Sequence, residues 1–264
     1  MGATFLLLVT HQPAQPLGTF IEALWYYDGG AIARHTDYVL PNGKFQIVIG
    51  LATDVAAVSG VRSQHVVVQA GRMASAMGVV FRPGGARGFF ASPASDFFDR
   101  AVSLDAVWRS EVPHLRERLL EPVTPQAKFQ ALETMLLALL RTRSERQIGL
   151  HPSVRYALQQ FRKTSHIATV MNVAKEAGLS RRRFSQLFDE QVGMTPKMYC
   201  RLMRFRAVVA QVASGRKVDW ADVALAGGFY DQAHLSHEFR RFSGLSPSSF
   251  AAADHPYLNH VRVD

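Results

Sequence analysis

Two hydrophobic periods divide the chain. Up to about Arg109 apolar residues come in short runs: FLLLV at 5–9, ALWYY at 23–27, FQIVIGLA at 45–52, HVVVQA at 65–70 and AMGVVFR at 76–82. Glycine, proline or asparagine commonly separates them, which is the pattern of β-strands. Within LPNGKFQIVI, Pro41-Asn42-Gly43 predicts a turn, because Asn-Gly tolerates positive φ. Phe45, Ile47 and Ile49 then alternate onto one face. The expected product is a small β-sandwich or barrel. In GVVFRPGGARGFF, from Gly78 to Phe90, the glycines fit neither a P-loop nor a dinucleotide fingerprint, so the segment reads as a turn at a sheet edge or cavity mouth.

From 111 to 143 the period lengthens. PHLRERLLE and AKFQALETMLLALLRTR are amphipathic, with Phe129, Leu132, Met135, Leu136, Leu139 and Leu140 on one broad helical face. That face suits either a cover for the sheet or a dimer surface. Polar RTRSERQIG then reads as a linker, which divides the chain into a β-rich domain with a helical tail, 1–145, and an all-α domain, 151–255.

Beyond Pro152 the pattern is of short helices between turn signals, with Thr169 and Asp219 as N-cap candidates. This half contains a repeat. VAKEAGLSRRRFSQLFDEQVGMTPKMY (Val173–Tyr199) echoes VALAGGFYDQAHLSHEFRRFSGLSPSSF (Val223–Phe250). Val-Ala and Gly178/Gly228 align 50 residues apart; after one inserted residue, Phe184/Leu235, Phe188/Phe239, Gly193/Gly244, Pro196/Pro247 and Tyr199/Phe250 align 51 apart. Each copy outlines a helix-turn-helix. The apolar pairs should face the core and the polar residues between them should face outward. Gly193 and Gly244 read as C-caps, and Thr195, Asp231 and Ser246 as N-caps. The intervening Thr195–Ala213 stretch has 19 residues, roughly 28 Å as a helix, against about 34 Å for one turn of B-DNA. Such a rod is suited to holding two reading helices in successive major grooves.

Charge sharpens the second half. The chain carries a net +9. Residues 1–150 hold 14 Lys/Arg and 12 Asp/Glu (14 − 12 = +2), and residues 151–264 hold 16 and 9 (16 − 9 = +7). That asymmetry suits a polyanionic partner for the C-terminal half. The single cysteine, Cys200, excludes an internal disulfide and any Cys-based metal cluster, and is consistent with a reducing, cytoplasmic setting. The opening MGATFLLLVTHQPAQ lacks a basic n-region and is too short to span a membrane.

GFYDQAHLSHEFRRFSGLSPSSF, with the upstream AKEAGLSRRRFSQLFDEQVGMTPKMYCRLMRFRAV, resembles the DNA-binding domain of the AraC/XylS family of transcriptional regulators. LWYYDGG, LPNGKFQIVI and GVVFRPGGARGFF look like an uncharacterised β-rich domain that precedes it in one branch of that family. The resemblance implies an activator or repressor of promoters. It also implies a double-stranded DNA partner, and a small-molecule effector, a homodimer and an RNA polymerase contact as further candidates.

Carried over residue by residue, the resemblance places base-edge contacts on Arg182, Ser185 and Gln186 of the first unit. In the second unit they fall on Gln232, Ala233, His234, Ser236 and His237. Arg182 suits guanine O6 and N7, and Gln186 suits adenine. Arg181, Arg183, Lys197, Arg240 and Arg241 are phosphate candidates. His237 and Glu238 depart from the more basic residues usual there, so the second unit is expected to read fewer bases or hold the backbone more weakly. Trp25, Tyr26, Tyr27 and Phe81 are effector-pocket candidates, with the core as their alternative.

Other classes fit less well. His234 and His237 form HxxH without the glutamate of HExxH or an evident third ligand, and His35 and His65 are each isolated in sequence. No nucleophile elbow, Walker or Rossmann motif appears. No catalytic residue, cofactor or metal is therefore assigned. A protein-interaction or membrane-surface module remains the alternative, but the basic residues are spread over turn-linked repeats, not pooled on one amphipathic helix.

Overall fold

The computed structural model describes residues 7–29, 35–70, 75–108, 111–143, 148–163, 170–213, 219–257 and 259–263. Among the described residues ten strands form two antiparallel sheets. The larger has the order β1 (Leu7–His11), β2 (Ile21–Asp28), β7 (Ser75–Phe81), β4 (Gln46–Gly50), β5 (Ala56–Ser59), β8 (Ala101–Ser103). The smaller runs β6 (Val66–Ala70), β3 (His35–Val39), β10 (His260–Arg262), β9 (Asp254–Tyr257).

The alternation expected of β4 holds: Phe45, Ile47 and Ile49 are buried, and Gln46 and Val48 are half-buried. Gly43 takes φ 72°, and Asn42 Oδ1 accepts from the Lys44 N–H at 3.0 Å. This turn carries the chain from the smaller sheet into the larger and does not close a hairpin. After β7, Gly84 at φ 77° turns the chain into a 3₁₀ segment, Gly85–Gly88.

Helices α1 (Leu104–Trp108), α2 (Glu111–Leu120) and α3 (Pro125–Arg141) follow. The Thr124 side chain caps α3 by accepting from the Ala127 N–H at 3.3 Å. Phe129, Leu132, Met135, Leu136 and Leu140 are buried and Leu139 is partly so. This face covers the sheet at β1, where the His11 ring stacks on Phe129 at 5.3 Å and its Nε2 lies 3.0 Å from Glu133.

The second half is helical: α4 (Pro152–Lys163), α5 (Val170–Glu176), α6 (Arg181–Val192), α7 (Pro196–Ala213), α8 (Trp220–Ala226), α9 (Gln232–Ser243) and α10 (Pro247–Ala252). The linker segment 144–147 and Thr169 lie outside the described residues. One apolar core runs through both halves. Beyond Ala253 the chain returns to the β-rich half, where β10 lies between β3 and β9, pairing Val261 with Tyr38 and Arg262 with Asp37.

Candidate nucleic-acid interface

The two repeat units fold alike because the same local signals recur. α5 ends in a turn at Gly178 (φ 68°) and α8 at Gly228 (φ 70°). The Leu179 N–H donates to the Ala174 carbonyl at 3.0 Å, and the Phe229 N–H to the Ala224 carbonyl at 2.9 Å. These are Schellman-type closures, in which a left-handed glycine lets the chain leave the helix. The Asp219 side chain caps α8. Ser180 caps α6 through the Arg183 N–H at 3.3 Å, and Asp231 caps α9 through the His234 N–H at 2.7 Å. Gly193 (φ 90°) and Gly244 (φ 77°) close the two helices. Thr195 and Ser246 start the next ones by accepting from Met198 and Ser249 N–H groups.

Phe184, Phe188, Leu235 and Phe239 are all fully buried. The rod between the units divides its faces. Tyr199 of α7 packs on Phe161 and Phe188 at 6.3 and 5.5 Å, serving the first unit. Phe205 packs on Phe239 and Phe242, both at 5.0 Å, serving the second. Arg204 donates to the Gly228 carbonyl at 2.9 Å and lies over the Phe229 ring. At 18 residues α7 is roughly 27 Å long. Burial pushes the Cys200 thiol up to about 12, which keeps it protonated and inert.

Polar side chains of α6 and α9 reach the surface. Arg181, Arg182, Arg183 and Gln186 are exposed and Ser185 is half-buried. Gln186 Nε2 donates to Glu190 Oε1 at 2.8 Å while its oxygen accepts from Arg183 at 3.4 Å. On α9, Gln232, Ala233 and His237 are exposed, and His234 and Ser236 are half-buried. The Tyr230 N–H donates to His234 Nδ1 at 3.2 Å. In the neutral ring this leaves the proton on Nε2, pointing a donor away from the backbone. Lys197, Arg240 and Arg241 are exposed at helix ends.

Glu238 does not face outward as the pattern predicts. It is buried, and its two oxygens accept from Arg201 Nε and Nη2 at 2.7 and 2.6 Å. Burial alone would push its carboxyl up, but the Arg201 guanidinium holds it below the usual glutamate range. It is an anchor of α9, not a reader. The shift of 51 residues maps it onto Leu187, which is also buried.

Trp25, Tyr26, Tyr27 and Phe81 sit on β2 and β7. Phe81 and Tyr26 are buried, and Trp25 packs over Gly78. A cavity of about 160 Å³ lies elsewhere, between Phe45, Phe90 and Phe97, with Arg87, Arg143 and Glu190 at its wall; none of those four aromatics lines it. The segment after Pro83 thus does border a cavity mouth. Among the described residues no group of three or more His, Cys, Asp and Glu gathers as a metal site, and no helix is long and apolar enough to cross a membrane.

The helix-turn-helix domain family matches residues 173–253, the span of both repeat units. Residues 173–253 therefore form a helix-turn-helix domain. Residues 9–103 match a domain of unknown function (DUF6597). The chain is 31% identical over 140 residues, half of its length, to the arabinose operon regulatory protein of Escherichia coli. It is 33% identical over 96 residues, 36% of its length, to the probable transcriptional regulator LumQ of Photobacterium leiognathi. These matches cover 46% and 37% of the relatives, less than half of each. Among solved structures, the C-terminal domain of AraT, a response regulator from Geobacillus stearothermophilus, shares 22% identity at a TM-score of 0.37, covering 41% of this chain and 96% of that one.

Proposed function

We propose that the chain is a sequence-specific transcriptional regulator whose AraC-type domain places α6 and α9 in successive major grooves on one face of double-stranded DNA. The observation that carries this reading is the matched pair of reading helices. They share capping, closing glycines and buried aromatic supports, and both leave polar side chains exposed. A rod of roughly 27 Å separates them.

Arg182 reads guanine through two donors, and Gln186 reads adenine after exchanging its bond to Glu190 for the base edge. Ser185 adds one contact. On α9, Gln232, His234, Ser236 and His237 supply single hydrogen bonds, and Ala233 a methyl contact to thymine. Because Arg182 and Arg183 are matched there by Ala233 and His234, the second unit is the weaker reader. Arg181, Arg183, Lys197, Arg240 and Arg241 hold phosphates, so they set register and affinity, not sequence. A small effector, where one acts, enters the Phe45–Phe90–Phe97 cavity, whose Glu190 wall belongs to α6. The cytoplasm is the compartment that suits such a regulator.

The test is a gel shift with DNA from upstream of the protein's own gene against the same DNA scrambled. Specific binding that Arg182→Ala weakens by about tenfold or more supports the reading. Equal affinity for both DNAs overturns it.

A further inference from the structure

The two glycines that close the reading helices, 51 residues apart in the repeat, dock on one short piece of the β-rich domain. A Cβ at Gly193 would stand 3.0 Å from Val61 Cγ2, 3.0 Å from Phe45 Cε2 and 3.0 Å from the Ala94 carbonyl. A Cβ at Gly244 would stand 2.5 Å from His65 Cε1, so the imidazole lies directly on that C-cap. The His65 backbone N–H also donates to the Phe242 carbonyl at 2.9 Å, one of the last carbonyls of α9. Val61 and His65 are the two ends of one five-residue segment between β5 and β6. Fully extended, five residues reach no more than about 18 Å.

That segment is itself held firmly. The His65 ring stacks on Tyr38 of β3 at 4.3 Å, and Val61 is fully buried. Asp99 ties the segment's middle through the Ser63 N–H and hydroxyl, both at 2.6 Å. The chain that follows α10 is held to the same half where β10 pairs with β3. The far ends of both readers therefore rest on a common support outside the helical domain.

We propose that Val61–His65 is a gauge, in which His65 is a positioning residue that sets the placement of α9 relative to α6 and with it the half-site spacing the protein accepts. The inference rests on the proposed DNA-binding function. Rod α7 fixes one distance between the units; the gauge fixes a second, and two supports are needed to stop one unit pivoting about the rod. Loss of the His65 ring loosens that support, with the backbone bond to Phe242 retained, while leaving every base-facing side chain in place.

The experiment uses the full-length chain and a set of duplexes in which one base pair is inserted or removed between the two half-sites, a step of about 3.4 Å and about 35°. Wild type is expected to discriminate by about tenfold between the best spacing and its neighbours, and His65→Ala by less than about threefold. His65→Phe, which keeps the ring on Gly244 and Tyr38, should restore discrimination. Preferences for single bases within each half-site should not change in either variant, whereas a variant that merely destabilised the domain would weaken all duplexes alike. The gauge is overturned if His65→Ala keeps the wild-type spacing profile, or if it loses affinity uniformly across the set. If wild type binds no duplex specifically, the DNA-binding reading itself fails, a result separate from failure of the gauge.

Discussion

Arg201 of α7 and Glu238 of α9 form a bidentate ion pair at 2.7 and 2.6 Å, with Glu238 buried and Arg201 half-buried. The first unit solves the same packing problem with Leu187. Removing one partner leaves a desolvated charge, which typically costs about 3–5 kcal/mol, whereas an apolar replacement of both is often neutral. Glu238→Ala should therefore lower the unfolding free energy by about 3 kcal/mol, and Arg201→Leu with Glu238→Leu should return to within about 1 kcal/mol of wild type. Denaturant melts of the three proteins check this. A Glu238→Ala loss below about 1 kcal/mol would contradict it.

The return of the chain through β9 and β10 predicts an effect far from the helical domain. Without β10, β3 keeps only β6, and a two-stranded ribbon is marginal alone. Val261 is fully buried, and the Leu40 N–H donates to the Asn259 carbonyl at 2.7 Å. Ending the chain at Ala253 should cost about 2 kcal/mol or more from the lost valine burial, and expose an edge that promotes aggregation. The thermal midpoint and light scattering of the truncated protein measure both. An unchanged midpoint would show that the hairpin is ornamental.

Two histidines in this region predict an acid-sensitive contact. Burial pushes the His65 imidazole down from 6.5, against a smaller upward effect of the Phe242 carbonyl. Burial also pushes His260 down, opposed by Asp37 at 3.7 Å. In both, the folded value lies below the unfolded one. The unfolded chain then binds more protons as pH falls through about 6.5, so stability is fully present above that pH and declines below it. The thermal midpoint should fall between pH 7.5 and 5.5, and the double variant His65→Phe, His260→Phe should show a shallower fall. Parallel pH profiles for the two proteins would refute this assignment.

Much of the helical domain was legible because its signals are local. Left-handed glycines at 178, 228, 193 and 244 and the caps at Ser180 and Asp231 act within a few residues, and the repeat presents each twice. The alternation of Phe45, Ile47 and Ile49 likewise gave β4 its inward face. Strands β3 and β10 were hidden because HTDYV and HVR are short, carry polar residues and pair across more than 200 residues of chain. Residue type alone places Glu238 outward. Its spacing from Leu235 and Phe239 is that of a core position, and the 51-residue shift onto Leu187 points the same way; its partner lies 37 residues upstream. For the aromatic run Trp25–Tyr27, strand period alone does not separate a cavity wall from a packed core.

The most direct test of two readers on one DNA face is methylation-interference footprinting of the full chain on its own upstream DNA. Two patches should appear in the major groove, centred about 10–10.5 base pairs apart on one face. Arg182→Ala should erase guanine contacts in one patch only, and the paired change His234→Ala, His237→Ala should weaken the other. A single patch, or two patches that respond together to Arg182→Ala, would contradict the arrangement of α6 and α9 described above.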